Sequence, residues 1–289
     1  MKPSIRPAAR ADRKAITAFT AETFEWGDYV ADVFDEWIDD PNGQVMVATD
    51  DQDHPVAVGR GVMLSPTELW LQGARVSTEW RRQGLASAIG GELVDWARAR
   101  GALVARLGTE TWNFAAQRQV ESADFRPVGD WVVAVRQISS ADPATPTNGG
   151  QRAKARRKLD RTHSSEAVPA WVSWRSGPLV GPARGLHSWH WRWARLELEH
   201  LTQAAKQGEL WSSQAGWVYL RYEGDRMAVG WLECGPDDAA DMIRSVVDLA
   251  TAAEVERVLI TVPLVPWLVT ALETMQFELH QMIIYELPL

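Results

Sequence analysis

The residues with the clearest chemical potential form one short segment, Arg81–Ala86, which reads Arg-Arg-Gln-Gly-Leu-Ala. The two arginines supply positive charge, and Gly84 allows a ligand to approach the backbone closely because it has no Cβ. If a helix begins near Gly84, its first N–H groups lack partners and lie at the positive end of the helix dipole. The segment therefore predicts a site for a phosphate-bearing ligand, and its residue types alone do not narrow that class further.

The elements on either side of this segment are those that must position it. A strand is predicted over Glu68–Val76, and an amphipathic helix over Leu85–Arg100 that ends at Gly101. An apolar strand follows over Leu103–Leu107. Strands that flank one crossover helix are usually parallel neighbours, so the phosphate site is expected where the first of these two strands ends.

The remaining pattern up to residue 138 alternates short strands and helices. Before Glu68 the apolar spacing predicts a strand, two helices and two strands, and after Leu107 it predicts a helix and a strand. The ranges are Ser4–Arg6, Ala11–Thr23, Tyr29–Ile38, Gln44–Ala48, Val56–Leu64, Asn113–Ser122 and Arg126–Gln137. The predicted order is β-α-α-β-β-β-α-β-α-β.

This order and this segment together resemble the GNAT superfamily of N-acetyltransferases. The main motif of that family is Gln/Arg-x-x-Gly-x-Gly/Ala, directly after the fourth strand and at the start of the third helix, and Arg81–Ala86 fits it in that context. The resemblance covers about residues 3–138. It implies an α/β (α+β) fold with a mixed, mostly antiparallel sheet flanked by helices. It also implies an enzyme that transfers acetyl from acetyl-CoA to an amine, by direct attack in a ternary complex.

The resemblance also implies roles for individual residues. The backbone N–H groups of Arg82 to Ala86 would hold the pyrophosphate of acetyl-CoA, and the strand that ends at Val76 would bind the pantetheine arm. The N–H near Ala74 would polarise the thioester carbonyl. A second family element, Asn-x-x-Ala, is matched by Asn113–Ala116. The expected cofactor-binding residues are Val76, Arg81, Arg82, Gln83, Gly84, Leu85, Ala86, Ser87, Asn113 and Ala116.

Two positions depart from the family pattern. Many members carry a tyrosine that reprotonates the CoA thiolate, and by position that residue is Val120 here. The glycine that usually precedes Phe125 is Asp124. The cofactor segment is thus intact, while the common general acid is missing.

The general base is left open by the sequence. A neutral amine must lose a proton, so a carboxylate or a water relay is expected. The strand glutamate that serves some family members falls on Trp70 here, and the candidates are Glu68, two residues earlier on the same strand face, and Glu110. The family places its acceptor pocket between the first two helices. Residues that belong there or that would wall it are Glu25, Trp26, Asp28, Tyr29, Trp70 and Trp112, each of which is equally a candidate for surface or core packing.

The rest of the chain is expected to hold a linker over 139–167 and a second domain over 168–289. The linker is rich in Pro, Gly and Thr and then basic, and the second domain repeats the first element order. Its predicted elements include a strand at Trp171–Trp174 and a helical stretch over Pro182–Lys206. The junction Leu232–Ala239 lacks the phosphate motif, and its two aspartates repel phosphate. We therefore expect a degenerate GNAT-like domain that does not bind CoA.

A group of aromatic residues in the second half has two readings. Sixteen tryptophans occur in the chain, nine of them after the linker. Some of these, with two histidines, are candidates for either a ligand wall or internal packing. They are His187, Trp189, His190, Trp191 and Trp193.

Charge and composition exclude several classes of function. The net charge is −8, and residues 1–138 and 167–289 are both acidic, so nucleic acid is not an expected partner. The single cysteine, Cys234, excludes an intrachain disulfide. No apolar run reaches the length of a membrane helix and no signal sequence begins the chain, which predicts a cytoplasmic protein.

The expected partners are acetyl-CoA and a small-molecule or peptide amine, with a homodimer as an option. A non-catalytic acetyl-CoA sensor and a scaffold that has lost CoA binding are the alternatives.

Overall fold

The computed structural model describes residues 3–21, 27–138 and 158–289. Their contacts divide the chain into two compact units, which do not follow the sequence in two simple halves. Unit 1 consists of residues 1–109, 113–127 and 285–289. Unit 2 consists of residues 110–112 and 128–284. Each unit therefore contains a segment from the other part of the chain.

Unit 1 contains five strands in the order β1-β2-β3-β4-β5, with β4 and β5 parallel and the others antiparallel. Its elements are β1 (Ser4–Pro7), α1 (Arg13–Thr20), α2 (Val30–Asp39), β2 (Gly43–Thr49), β3 (Pro55–Ser65), β4 (Glu68–Val76), α3 (Leu85–Arg98), β5 (Val104–Glu110) and α4 (Phe114–Ser122). The order predicted from the sequence is confirmed here, and the bounds of β4 are those predicted.

The core of unit 1 lies on both faces of this sheet. Side chains alternate between the two faces of a strand, and β2 shows this directly. Val45 and Val47 join a cluster with α1 and α2, whereas Met46 and Ala48 join a cluster with α3. A strand that is covered on both faces needs apolar residues at consecutive positions, which explains the unbroken apolar run in β2.

The last residues of the chain belong to unit 1 through β5. Leu289 N–H donates to the Leu103 carbonyl oxygen at 2.9 Å. The guanidinium of Arg106 pairs with Glu68 on β4 and, at 2.7 Å, with Glu286 near the C-terminus. Arg106 and Glu68 are both buried. A charge cluster thus fixes β5 from both sides.

Unit 2 contains strands in the order β6-β13-β12-β11-β10-β7, with a separate hairpin of β8 and β9. The elements from β6 to the C-terminus are β6 (Arg126–Gln137), β7 (Asp160–Arg161), α5 (Ala167–Ser176), β8 (Leu186–Trp189), β9 (Arg192–Arg195), α6 (Leu198–Lys206), β10 (Leu210–Ser213), β11 (Gly216–Glu223), β12 (Arg226–Cys234), α7 (Ala239–Ala252), β13 (Arg257–Pro263), α8 (Pro266–Thr274) and β14 (Glu278–Pro288). β12 and β13 are parallel.

Two predictions for the second half are wrong. Trp171–Trp174 is part of helix α5 and not a strand, because Ala167, Ala170 and Trp174 form a buried stripe at helical spacing. The stretch predicted as helical over Pro182–Lys206 contains the β8–β9 hairpin, and only α6 is a helix there.

The hairpin escaped sequence analysis because of its turn. His190 and Trp191 connect the two strands, and both have positive φ, at 49° and 61°. Two-residue turns of this kind usually use Asn-Gly or Gly. Neither residue signals a turn, so the pattern around them gave no warning.

The predicted linker lies mostly outside the described residues, which stop at 138 and resume at 158. Its final part belongs to unit 2. Arg161 pairs with Trp211 in a short antiparallel ladder of β7 with β10, and α5 begins at Ala167. The boundaries predicted at 138 and 168 follow the two similar patterns of elements in the sequence. They do not coincide with the limits of the two compact units. Among the described residues, no helix has the length and apolar character needed to cross a membrane.

The buried pairing of Arg106 gives a stability prediction. We expect Arg106→Met to lower the free energy of unfolding by about 3–5 kcal/mol, because it leaves the buried Glu68 carboxylate without its cation. Chemical denaturation at neutral pH measures this loss. Arg126→Met is the matched control, since Arg126 pairs with Asp124 at an exposed site and should cost less than about 1 kcal/mol. Equal losses in both variants would contradict a special role for Arg106.

Candidate functional site

The centre of the candidate site is a β-bulge in β4. Arg60 pairs with Gln72 and Val58 pairs with Arg75, so Gly73 and Ala74 together face the single residue Gly59. Gly73 has a φ of +68°, which favours glycine. Ala74 is exposed, whereas Gly73 is buried. A bulge redirects the backbone, and here it presents the Ala74 peptide at the surface of the sheet.

The position of the bulge is set by a tryptophan on α2. A Cβ atom built on Gly73 would come well inside 3.0 Å of the Trp37 ring, closer than a real Cβ approaches. Trp37 is itself buried, and the guanidinium of Arg60 lies over its ring at 5.1 Å. A glycine is therefore required at position 73 for two reasons. It adopts the positive φ, and it has no Cβ that would collide with the Trp37 ring.

A groove opens beside the bulge because β4 and β5 separate. Their parallel pairing joins Glu68, Leu69 and Trp70 to Val104, Ala105 and Arg106. Within the described residues no pairing between the two strands follows, although β4 continues to Val76 and β5 to Glu110. Beyond the end of this ladder, the facing edges of β4 and β5 can accept an extended ligand as an additional strand would.

The phosphate segment lies at the end of β4. A short 3₁₀ turn over Thr78–Trp80 follows the strand, and α3 begins at Leu85. Arg82 and Gly84 both have positive φ, at 63° and 77°. These left-handed residues turn successive N–H groups to one side, in the manner of an anion-binding nest.

The N–H groups of this turn are available to a ligand. In the described part of the chain, no protein acceptor is bonded to the N–H groups from Arg82 to Ser87. A Cβ atom on Gly84 would meet nothing within 4 Å, so the space in front of the helix is open. Arg81 and Arg82 are exposed beside it. The turn therefore combines donors, dipole and full charges that suit a pyrophosphate.

Helix α3 is held firmly enough to serve as a platform. Ile89 and Leu93 are buried against β3, where Gly59 and Gly61 leave room for them. A Cβ on Gly59 would come inside 3.0 Å of Ile89, so the close approach of helix and strand depends on that glycine. The helix start, with its unpaired N–H groups, is fixed relative to β4.

Asn113 has a local role in the structure. Its side-chain oxygen accepts a hydrogen bond from Ala116 N–H at 3.1 Å and so caps α4. The predicted Asn-x-x-Ala element is thus an N-cap, and its contact with the pantetheine arm stays a prediction. Val120 lies half-buried on the same helix. Asp124 has a φ of 66°, which explains why the family prefers glycine at this position.

The two candidate bases differ in their surroundings. Glu68 is buried and bound to Arg106, at the start of β4, six residues from Ala74, which is roughly 20 Å along a strand. Glu68 is therefore a poor candidate for the general base. Glu110 ends β5, is half-buried and is grouped with unit 2, so its role stays a prediction.

The expected acceptor-pocket residues are also spread over different environments. Glu25 and Trp26 lie outside the described residues. Trp70 is buried, Tyr29 is 49% exposed and Trp112 is 57% exposed. The Asp28 side chain is fully buried and pairs with Arg75, the residue after Ala74. The sequence did not indicate a role for Arg75, because this residue belongs to none of the motifs described above.

Comparison with known proteins finds a family match for part of the chain. Residues 13–125 match the model of the acetyltransferase (GNAT) family. This stretch of the chain is similar to the domains of that family. The motif Arg81–Ala86, the bulge and the separation of β4 from β5 all lie in it or directly beside the residues it spans.

Solved structures show the GNAT fold along the whole chain. A GCN5-related N-acetyltransferase from Sphaerobacter thermophilus aligns with 99% of this chain and 95% of its own, at 15% identity and a TM-score of 0.66. A provisionally named acetyltransferase from Thermoplasma acidophilum aligns with 99% of this chain and 100% of its own, at 16% identity and a TM-score of 0.62. A search of curated proteins finds no significant match.

Unit 2 has a similar arrangement of strands, but other residues occupy the place where its two parallel strands separate. β12 pairs with β13 only from Arg226 to Val229, and a register shift between β11 and β12 leaves Gly230 as an extra residue. A Cβ on Gly230 would come inside 3.0 Å of the Ser188 carbonyl oxygen and the Trp189 ring. The β8–β9 hairpin therefore occupies the opening between β12 and β13.

The start of α7 differs from the start of α3 in charge. Pro236, Asp237 and Asp238 form a 3₁₀ turn before the helix. Proline has no N–H to donate, and the two carboxylates repel an anion. Cys234 is buried at the end of β12, and its pKa is raised to about 12, chiefly by burial, which disfavours the reactive thiolate form.

The aromatic group in the second half mainly packs. Trp193 is fully buried and meets Trp131 edge to face, while Trp189 stacks on Tyr219 at 4.5 Å. His187 is buried, and its pKa is lowered to about 3 by burial and by the neighbouring His200. The neutral His187 and the ring contacts of Trp189 and Trp193 therefore favour a role in internal packing over a role in lining a ligand site.

The bulge gives a direct test. We expect Gly73→Ala to lower the free energy of unfolding by about 2 kcal/mol or more, because it adds backbone strain and a collision with Trp37. Gly84→Ala is the matched control, since it has a similar φ and open space, and it should cost only about 1 kcal/mol. Urea denaturation of both variants measures the difference. Equal losses would mean that Trp37 does not fix the bulge.

The buried Glu233 predicts a pH dependence. Burial raises its pKa to about 8, so the folded protein keeps a proton that the unfolded chain releases near 4.5. Stability from this group is present below pH 4.5 and is lost as pH rises through 8, by about 1.4 kcal/mol for each pKa unit. Glu233→Gln should therefore raise the melting temperature more at pH 8 than at pH 5. A gain that is independent of pH would show that the carboxyl does not hold its proton.

Proposed function

We propose that the GNAT domain binds acetyl-CoA and transfers its acetyl group to the amine of a small molecule or peptide. The observation that carries the proposal is the order of features along β4. The exposed Ala74 bulge, the strand edge beyond the end of the β4–β5 ladder and the Arg81–Ala86 turn follow one another. These features suit, in that order, a thioester, an extended pantetheine arm and a pyrophosphate. An acyl-CoA such as acetyl-CoA contains all three.

The reaction then follows a direct path. The amine nitrogen attacks the thioester carbon, and the carbonyl oxygen gains negative charge that the Ala74 N–H stabilises. The C–S bond breaks, the amine loses a proton, and CoA leaves as a thiolate that takes up a proton. Val120 has none to give, so water is the proton source for the thiolate. A carboxylate or a water relay accepts the proton of the amine.

Unit 2 is proposed to bind no CoA. The hairpin against Gly230 takes up the opening between β12 and β13, and the start of α7 is acidic. Both features oppose an anionic, extended ligand.

Thermal unfolding with and without acetyl-CoA tests the binding step. Ligand at about 100 times its dissociation constant should add roughly 2.7 kcal/mol, or on the order of 5–10 °C in melting temperature. Gly84→Asp should abolish the shift, because it places a carboxylate in front of the phosphate donors. Gly91→Asp, an exposed position on the same helix with open space around it, is the matched control and should keep the shift.

Turnover is then measured as thiol release with a panel of primary amines and peptide N-termini. Release that depends on both amine and acetyl-CoA supports the transferase. A thermal shift without turnover for any amine would favour an acetyl-CoA sensor. No shift in the wild type would end the proposal.

A further inference from the structure

The bulge that presents Ala74 is held by side chains that no family motif contains. Arg75 follows Ala74 directly, and its guanidinium contacts two partners. Nε and Nη2 donate to the carboxylate of Asp28, while Nη1 donates to the Ala74 carbonyl oxygen at 3.1 Å. The planar guanidinium of Arg75 therefore connects the carbonyl group of Ala74 to the carboxylate of Asp28.

The acid is itself firmly placed. The Asp28 side chain has no exposed surface, and that of Arg75 is 14% exposed. The Asp28 carboxylate also accepts from Val30 N–H at 3.0 Å, at the start of α2. A desolvated pair with several hydrogen bonds has one preferred geometry, because each unmet bond is costly.

Aromatic rings complete the support. The Arg75 guanidinium lies over the Tyr29 ring at 5.6 Å, and Tyr29 meets Trp37 edge to face at 5.9 Å. Trp37 in turn lies against Gly73. Contacts thus run from Arg75 through Tyr29 and Trp37 back to Gly73, so that Ala74 is held on both sides.

We propose that Arg75 is a positioning residue that fixes the backbone of Ala74 through its carbonyl oxygen, so that the Ala74 N–H points at the thioester carbonyl, and that Asp28 orients the guanidinium for this task. The inference rests on the proposed function. Hydrogen bonds weaken steeply when donor and acceptor are misaligned, so a small rotation of the Ala74 backbone that turns its N–H away from the carbonyl removes most of the polarisation. The phosphate turn at Arg81–Ala86 is a separate part of the site. Loss of Arg75 should therefore lower turnover while acetyl-CoA still binds.

The carbonyl itself provides the readout. Acetyl-CoA labelled with ¹³C at the thioester carbonyl is bound to the protein, and its C=O stretching frequency is measured by infrared difference spectroscopy. In the wild type we expect binding to lower this frequency. In Arg75→Met we expect most of that lowering to be lost, the Kd of acetyl-CoA to stay near the wild-type value, and kcat for the best amine to fall about tenfold or more.

Arg6→Met is the matched control for simple destabilisation. Arg6 forms a partly buried ion pair with Asp12 in the same unit, and its removal also breaks an Arg–Asp contact. We expect it to lower the melting temperature without changing the bound carbonyl frequency or kcat. A frequency change in Arg6→Met as large as that in Arg75→Met would overturn the inference.

Two further variants keep the test decisive if Arg75→Met does not fold. Asp28→Asn preserves shape and removes the charge that holds the guanidinium, so it should weaken the carbonyl signal in the same direction. Arg75→Lys retains the charge but lacks the planar fork, so it should restore only part of the signal. An unchanged frequency in folded Asp28→Asn and Arg75→Lys would refute the positioning role. Failure of the wild type to bind acetyl-CoA would instead refute the proposed function.

Discussion

The parallel pairing of β4 with β5 stops after Trp70 and Arg106, and the rest of unit 1 depends on that separation. Two parallel strands that remain paired leave no edge for a ligand. Here the apex of the opening is fixed by the buried contact of Arg106 with Glu68. Beyond the apex, β4 contains the bulge at Gly73, and the Arg81–Ala86 turn leads from the end of the strand at Val76 to the start of α3 at Leu85. The groove, the bulge and the Arg81–Ala86 turn therefore follow one another along the chain from the point where this pairing ends.

The same strand geometry has a different outcome in unit 2. β12 also leaves β13 beside an extra glycine, Gly230, but the Ser188–Trp189 segment lies against that glycine. In unit 1 the glycine of the bulge contacts a helix side chain, Trp37, and Ala74 stays exposed. The contrast shows that a shared fold does not imply a shared site, because a short inserted hairpin suffices to fill the opening.

Chain connectivity adds a constraint that neither sequence repeat contains. Unit 1 is completed by Tyr285–Leu289, and the Tyr285 hydroxyl donates to Glu121 on α4 at 3.1 Å. The β6 strand, which the order of elements assigns to the first repeat, pairs with β13 in unit 2. Unit 1 therefore contains residues from both ends of the chain, and unit 2 contains a short segment, residues 110–112, from within the range of unit 1. Ordering these distant segments carries a loop-closure cost that two independent domains would avoid.

The sequence alone determined much of this protein, because its information is local. Apolar periodicity predicted the strands and α-helices of unit 1 up to β5, and Gly84 predicted the turn from which α3 begins. Phosphate binding at this turn stays a prediction. Tertiary structure decided the rest. Glu68 became a buried partner of Arg106, Arg75 joined Asp28 across 47 residues, and the His190–Trp191 turn formed a hairpin without a turn signal. These outcomes depend on contacts between distant segments, and a local pattern of side-chain types does not specify such contacts.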